Sequence, residues 1–233
     1  MKILALDSSG LVAGVAVTED DNLLGEYTIN YKKTHSQTLL PMIDEIFSMV
    51  QLKPDDVDVI AVSKGPGSFT GLRIGAATGK GIALALDKKM VAVPTLAAMA
   101  YNLYGDSRYI CPVMDARRKH LYSGIYTFDG DRLITVRDVN LESYDELAEE
   151  LAGLDGQVVL VGDGVDVAGD VLKEQLGDKC VLAPAHIKTQ RAGSVALLAK
   201  QMADNGEYTD ADELKPDYLR PSQAEREKAQ HES

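Results

Sequence analysis

The chain has 233 residues, about 1.5 domain equivalents at roughly 150 residues per domain, which fits one large or two small domains. Hydrophobic residues make up 45% and charged residues 26%, an ordinary globular balance that excludes a mainly disordered or fibrous chain. Twenty-four Lys and Arg against 36 Asp and Glu give a formal net charge of −12, which repels a phosphate backbone unless a local basic patch overcomes it. No apolar run approaches the ~18 residues of a spanning helix, and the opening run 1–6 is cut by Asp7 before it can act as a signal core. The expectation is a cytoplasmic protein without membrane contact. Cys111 and Cys180 have no CxxC spacing and no matching histidines, so they read as small buried thiols.

In chain order, residues 2–6 are a short apolar strand, and Asp7-Ser8-Ser9-Gly10 is a turn into a second strand at 11–17. Asp20-Asp21-Asn22 turns into a third strand, 23–29. Leu39, Leu40, Ile43, Ile46, Phe47 and Val50 recur at helical spacing, with Thr34 or Ser36 placed to cap the start. Residues 57–62 suit a strand buried on both faces. The segment Gly65-Pro66-Gly67-Ser68-Phe69-Thr70-Gly71 is a loop that opens a helix to about Leu86; a strand at 90–93 and a helix from Thr95 follow.

From Tyr109 the same order restarts: strands at 109–114, 121–128 and 133–136, a helix capped by Ser143, a strand at 158–161, a helix at 165–176, a strand at 181–183 and a helix at 194–203. Both halves read βββαβαβα, with an aspartate after the first strand of each, Asp7 and Asp115. A period above 100 residues is a domain duplication, not a solenoid. By analogy this is the duplicated ribonuclease-H-like α/β fold of actin, the sugar kinases and the heat-shock ATPases, which hosts many functions. The expected boundaries are a first half at 1–104, a second at 105–221 and a flexible polar tail at 222–233.

Several signatures fail on spacing. Gly79-Lys80 is followed by Gly81 where a P-loop needs Ser or Thr, Thr70 stands where a dinucleotide fingerprint needs glycine, and no G-x-S-x-G elbow occurs. His35, His120, His186 and His231 form no metal pair, so no metal site is legible. Asp7, Ser8 and Ser9 are candidate phosphate or metal contacts, or simply a capped turn. Arg117 and Arg118, in the basic run that follows Asp115, are candidates to grip a phosphate or tRNA backbone, or form a solvated hairpin tip. Gly65, Gly67 and Ser68 precede a helix start that favours anions.

Gly71, Gly75 and Gly79 recur four residues apart, each interior one costing about 1 kcal/mol against alanine, which calls for a compensating gain. Either the helix packs on its own sheet, or the small residues admit another protein's helix. Met42 and Met49, read as lying apart from the Leu39, Ile43 and Phe47 stripe, favour the second possibility but also suit a core.

Five segments resemble the bacterial TsaB family, also called YeaZ: 3–9, 34–41, Gly65-Pro-Gly-Ser-Phe-Thr-Gly-Leu-Arg-Ile-Gly75, Asp115-Ala-Arg-Arg118 and Pro216-Asp-Tyr-Leu-Arg-Pro221. They span nearly the whole chain in order, and the 65–75 segment is the most specific. The resemblance implies a role in making threonylcarbamoyladenosine at the adenosine beside the anticodon of tRNAs that read ANN codons. It implies a noncatalytic partner of TsaD, a paralogue that transfers the threonylcarbamoyl group, with the small ATPase TsaE binding their complex. TsaD-like proteins carry a metal-binding HxxxH where Thr95 and Met99 stand in this chain, which implies a lost active site. No cofactor is implied for the chain itself; ATP or ADP enters at the level of the complex, and tRNA is reached through the partner.

The resemblance also implies a partner interface on the helices of 35–50 and 71–86, involving His35, Leu39, Met42, Glu45, Met49, Gly71, Leu72, Gly75, Thr78, Gly79 and Ile82, which also supports homodimers of the chain alone. On that reading the glycine face receives a partner helix, and Gly75→Leu or Gly79→Leu weakens binding without harming the fold. The competing reading is a stand-alone ATP-binding phospho- or acyltransferase of the same fold that uses Asp7 and the cleft. A protease is disfavoured because no nucleophile and base pair is visible.

Overall fold

The computed structural model describes residues 1–31 and 34–219. The expected tail at 222–233 lies outside the described residues, as do Arg220 and Pro221. The first half comprises β1 (Lys2–Asp7), β2 (Ala13–Glu19), β3 (Asn22–Ile29), α1 (His35–Val50), β4 (Val59–Gly65), α2 (Phe69–Leu86), β5 (Lys89–Pro94) and α3 (Thr95–Ala100). The second comprises β6 (Tyr109–Asp115), β7 (His120–Asp129), β8 (Arg132–Ser143), α4 (Tyr144–Gly153), β9 (Val158–Val161), α5 (Val165–Leu176), β10 (Cys180–Leu182) and α6 (Ala192–Asp204).

The duplication is visible in the sheets. One has the order β3-β2-β1-β4-β5 and the other β8-β7-β6-β9-β10. In each, the first three strands form an antiparallel meander, and the first strand pairs in parallel with the fourth, which pairs in parallel with the fifth. This is the α/β fold of actin, hexokinase and the heat-shock ATPases anticipated from the element order. The strand β8 runs well past the expected 133–136. It is an edge strand whose residues alternate in exposure, so its Arg137-Asp138 stretch looked like a loop.

Strand alternation builds the layers. Leu4, Leu6, Ile60 and Val62 face α1 and α2, whereas Ile3, Ala5, Val59 and Ala61 face Ala98 of α3 and the alanine-rich side of α6. In the second sheet, Cys111, Val113, Val158 and Leu160 face Leu147 and Leu151 of α4 and Leu172 of α5; Ile110, Val159 and Val161 face Leu96 and Met99 of α3. Both cysteines are buried and free, and burial pushes the Cys111 thiol far up, as expected for inert core thiols.

One boundary needs correction. A contiguous second half at 105–221 does not describe the packing, because α6 buries Ala192, Val195, Ala196, Ala199 and Ala203 against the first sheet. Glu26 of β3 holds it there, accepting from the Gly193 N–H at 3.0 Å and pairing with Arg191. The chain after α6 stays on the first half, with the Thr209 N–H donating to the Met90 carbonyl at 2.9 Å and the Asp217 N–H to that of Lys64 at 2.7 Å. Small alanines on α6 let it lie close on the first sheet.

The glycine face of α2 is the second correction. A Cβ at Gly71 would overlap the Ser8 carbonyl oxygen, one at Gly75 would lie 2.5 Å from Ser8 Oγ, and one at Gly79 would overlap the Val62 Cγ2 methyl and press on Met90 Cε at 3.2 Å. These glycines let α2 lie directly on β1 and β4. The compensating gain sought in the sequence is packing on the chain's own sheet, so Gly75→Leu or Gly79→Leu would disrupt the fold itself.

Candidate functional site

A cleft of about 720 Å³ separates the two halves. Its first-half wall begins at Ser9 and Gly10 and continues through 67–71 at the start of α2; its second-half wall includes Met114, Asp115, Arg117 and Asp163. The topology explains this convergence, because the β1–β2 and β6–β7 turns and the loops after β4 and β9 all lie at the same sheet ends. The candidate phosphate-contact motifs of both halves therefore meet across one space.

They do not all face it. Asp7 and Ser8 are buried beneath the wall. The Asp7 carboxylate accepts from the Ser9 N–H at 2.8 Å and the Ser9 hydroxyl at 2.6 Å, while burial pushes its pKa up. Ser8 Oγ donates to the Gly71 carbonyl at 2.9 Å, and the Ser68 N–H donates to the Ser9 carbonyl at 2.6 Å. These bonds close the β1–β2 turn onto the 65–71 loop. A Cβ at Gly67 would overlap the Ser9 carbonyl, and one at Gly65, whose φ is +127°, would meet the Asp217 carbonyl at 2.6 Å. The glycines here serve close approach of the chain to itself. Ser68 caps α2, its Oγ accepting from the Gly71 N–H at 3.2 Å.

The second-half wall is built differently. Asp115 Oδ1 accepts from the Arg117 N–H at 2.8 Å, and Oδ2 pairs with Arg117 Nη1 at 3.0 Å. Arg117, Arg118 and Lys119 all have left-handed backbone, with φ of 67°, 58° and 59°. For side-chain-bearing residues this conformation costs about 1–2 kcal/mol each. Three bonds hold it: Ala116 N–H to the His120 carbonyl at 3.0 Å, His120 N–H to the Arg117 carbonyl at 3.3 Å, and a 2.8 Å contact between His120 Nδ1 and the Arg118 carbonyl. Asp163, which the sequence places in a loop but not among the candidate site residues, also lines this wall. Burial and the nearby Asp115 carboxylate push its pKa up to about 6, against the pull of the Asp115 backbone N–H. The sequence signal was its place in Gly162-Asp163-Gly164, the loop matching 65–71.

The HxxxH positions are taken by packing. Thr95 Oγ1 accepts from the Gly65 N–H at 3.1 Å, and Met99 is buried among Leu96, Ile110 and Val161. A hydroxyl committed to the backbone and a core thioether do not fit a hard metal ion. Among the described residues, no group of three or more His, Cys, Asp or Glu could hold a metal ion.

The expected interface residues separate into three groups. Leu39, Met42 and Leu72 are buried in the chain's own core with Gly71, Gly75 and Gly79, so they cannot meet a partner without unfolding. Met42 faces inward because a position one turn before Ile46 and three residues after Leu39 falls on the buried side of α1. His35 lies at the cleft, its Nε2 2.9 Å from the Gly10 carbonyl. Glu45, Met49, Thr78 and Ile82 remain at the surface. Around them the structure adds Leu40, which was read as buried and is 57% exposed, and Leu84, which is 63% exposed; Met49 is 67% exposed. A mostly apolar groove of about 480 Å³ runs between α1 and α2, lined by Leu40, Ile43, Phe47, Leu52 and Ile82.

The segment around Tyr218 also joins the site. Tyr218 stacks on Phe69 with ring centroids 4.6 Å apart and accepts a hydrogen bond from Arg73 Nε at 3.1 Å, while the Arg73 guanidinium lies 4.0 Å from the Phe69 ring centroid. Thus the 216–219 motif is a strap over the start of α2, a contact 145 residues apart that no local pattern reveals.

Comparison with known proteins agrees with this arrangement. Residues 22–228 match the family described as TsaD: tRNA N6-adenosine threonylcarbamoyltransferase. The chain is 32% identical over 228 residues to tRNA threonylcarbamoyladenosine biosynthesis protein TsaB of Bacillus subtilis, covering 97% of this chain and 96% of that protein. It is 30% identical over 227 residues to the protein of the same name in Escherichia coli, covering 94% and 95%. Among solved structures, YeaZ from Pseudomonas aeruginosa superposes with a TM-score of 0.81 at 27% identity, covering 94% of this chain and 99% of that one. A ROK hexokinase from Thermus thermophilus, with a TM-score of 0.53 at 13% identity over 87% of this chain and all of that one, shares the fold alone. The chain belongs to the TsaD family and, within it, to the bacterial TsaB (YeaZ) group.

Proposed function

We propose that the chain acts in tRNA threonylcarbamoyladenosine biosynthesis as a noncatalytic partner of TsaD, serving adenosines beside the anticodon of tRNAs that read ANN codons. The observation that carries this reading is the exposed apolar groove between α1 and α2, lined by Leu40, Ile43, Phe47, Leu52 and Ile82, on two helices that expose Met49 and Leu84 elsewhere on their surfaces. The contact is side chains on the outer surface of the two helices, with the glycines beneath them. The same face accounts for homodimers of the chain alone, and the complex with TsaD recruits TsaE and any ATP or ADP. The noncatalytic part of the reading is supported by Thr95 and Met99, both committed to internal packing. A cytoplasmic setting accords with tRNA as the substrate; no helix among the described residues is long and apolar enough to cross a membrane.

Two measurements test the proposal. Labelled threonine is incorporated into tRNA by TsaD, TsaE and a threonylcarbamoyl-AMP synthase only when this chain is present, and the chain without TsaD does nothing. Leu40→Asp with Ser48→Asp, two exposed positions that line the groove, weakens TsaD binding by at least about 10-fold in calorimetry, since burying an apolar side chain such as Leu40 is worth roughly 1.5–3 kcal/mol. Their unfolding midpoint stays within error of wild type because both positions are exposed. Modification by the chain without TsaD, lost in Asp7→Ala, would establish the stand-alone transferase instead. Unchanged affinity in the double variant would remove the α1–α2 face from the interface.

A further inference from the structure

Arg117, Arg118 and Lys119 occupy three successive left-handed positions. Glycine adopts that backbone freely, and asparagine or aspartate at modest cost, so a hairpin needing only to turn would carry those residues. Here all three are cations, in a chain whose net charge is −12. The tip is exposed yet held in place from inside: Asp115 takes the Arg117 N–H and guanidinium, and His120 bonds to the carbonyls of Arg117 and Arg118. Arg117 is thereby partly neutralised, whereas the Arg118 and Lys119 side chains make no ion pair among the described residues. Strain has been kept at three adjacent positions where relief was one substitution away, which implies that the cationic side chains are needed for something outside the fold.

We propose that this tip is a finger that grips the phosphate backbone of the RNA substrate, Arg118 and Lys119 each contacting a phosphate and Asp115 and His120 holding them in position. The inference rests on the tRNA role argued above. A protruding, solvent-exposed pair of cations suits a strand passing across the mouth of the cleft, since an enclosed phosphate would be met by buried donors. Overall repulsion from the −12 chain makes such a patch necessary for any direct contact.

The test uses Arg118→Gly with Lys119→Gly, which removes both charges and relieves the backbone, so its melting temperature is equal to or above wild type. Binding of fluorescent tRNA is followed by anisotropy between 50 and 200 mM salt, on the co-complex with TsaD and on the chain alone, at roughly the range where counterion release is read. The expected result is a dissociation constant raised about 10-fold or more and a log–log salt slope reduced by about 2, one for each lost phosphate contact. Arg118→Lys keeps the wild-type slope. Unchanged affinity and slope in the double variant would overturn the proposal. So would intact tRNA binding with weakened ATP binding in calorimetry, which assigns the tip to a nucleotide phosphate. Co-elution with TsaD on gel filtration reads the partnership separately; if it fails, the same loss of slope is required of the chain alone.

Discussion

Alanine at Gly79 and alanine at Gly81 make the same chemical change two residues apart in one helix, and the structure assigns them opposite signs. Gly81 is exposed with nothing within 4 Å of its would-be Cβ, so Gly81→Ala gains helix propensity, about 1 kcal/mol, without a packing cost. Gly79→Ala gains the same propensity but drives a methyl into Val62 Cγ2 and toward Met90 Cε at 3.2 Å. Met90 can give way, whereas Val62 is buried in β4 with a stiff χ1, so relief requires α2 to lift off the sheet. Inserting a methyl into a filled core costs about 1–3 kcal/mol. The propensity gain cancels in the comparison, which leaves that packing cost as the difference between the two variants. Urea unfolding at constant slope reads it as midpoints separated by at least about 0.5 M for a slope near 2 kcal/mol/M. Equal stabilisation by both substitutions would mean that the glycine face does not rest on β4, and the reading in which it admits a partner helix would return.

Two further outcomes follow from buried charge. Asp163 has a folded pKa raised to about 6, so between its unfolded value of 3.8 and 6 the folded state holds more protons and stability falls as pH rises. The stability present below pH ~4 is lost through pH ~6, to the extent of about 3 kcal/mol. Asp163→Asn, with an amide oxygen still able to accept the Asp115 N–H, raises the pH 7 melting temperature and flattens this fall; parallel wild-type and variant profiles would contradict the assignment. In the second sheet, Arg137 donates to Glu142 at 2.6 Å, to Ser123 Oγ at 3.1 Å and to Glu150 at 3.0 Å, with Ser123 also bonded to Glu142. Arg137→Met leaves the buried Glu142 unpaired and costs about 3–5 kcal/mol in denaturant unfolding, whereas Arg137→Met with Glu142→Leu recovers most of it. A double variant no more stable than the single would show that charge pairing is not the cause.

Much of the fold was legible because its signals are local. Alternating or continuous apolar runs marked the strands, 3.6-residue periodicity marked α1, and the repeated order of elements exposed the duplication. Where the reading failed, the deciding neighbour was distant in sequence. Leu40 was assigned inward and Met42 outward by a stripe drawn one position off, and only the sheet beneath α1 shows which side is buried. The expected end of β8 failed because an edge strand carries polar residues such as Arg137, Asp138 and Asn140 while still pairing with β7.

The site divides in the same way. Composition, the 65–75 loop and the basic run after Asp115 were determined by the sequence, because residue type carries their chemistry directly, whereas Thr95 in place of a metal ligand was implied by the resemblance to TsaD-like proteins. Only the tertiary structure decided that Asp7 and Ser8 are shut beneath the cleft wall, that α6 belongs to the first sheet, and that Tyr218 returns to Phe69 and Arg73. The glycines of α2 illustrate the difference best. Their spacing states that something must come close, since no other residue leaves that room, but whether the visitor is another protein or the chain's own sheet depends on which way the helix is rolled, and that is set by packing against strands far away in sequence.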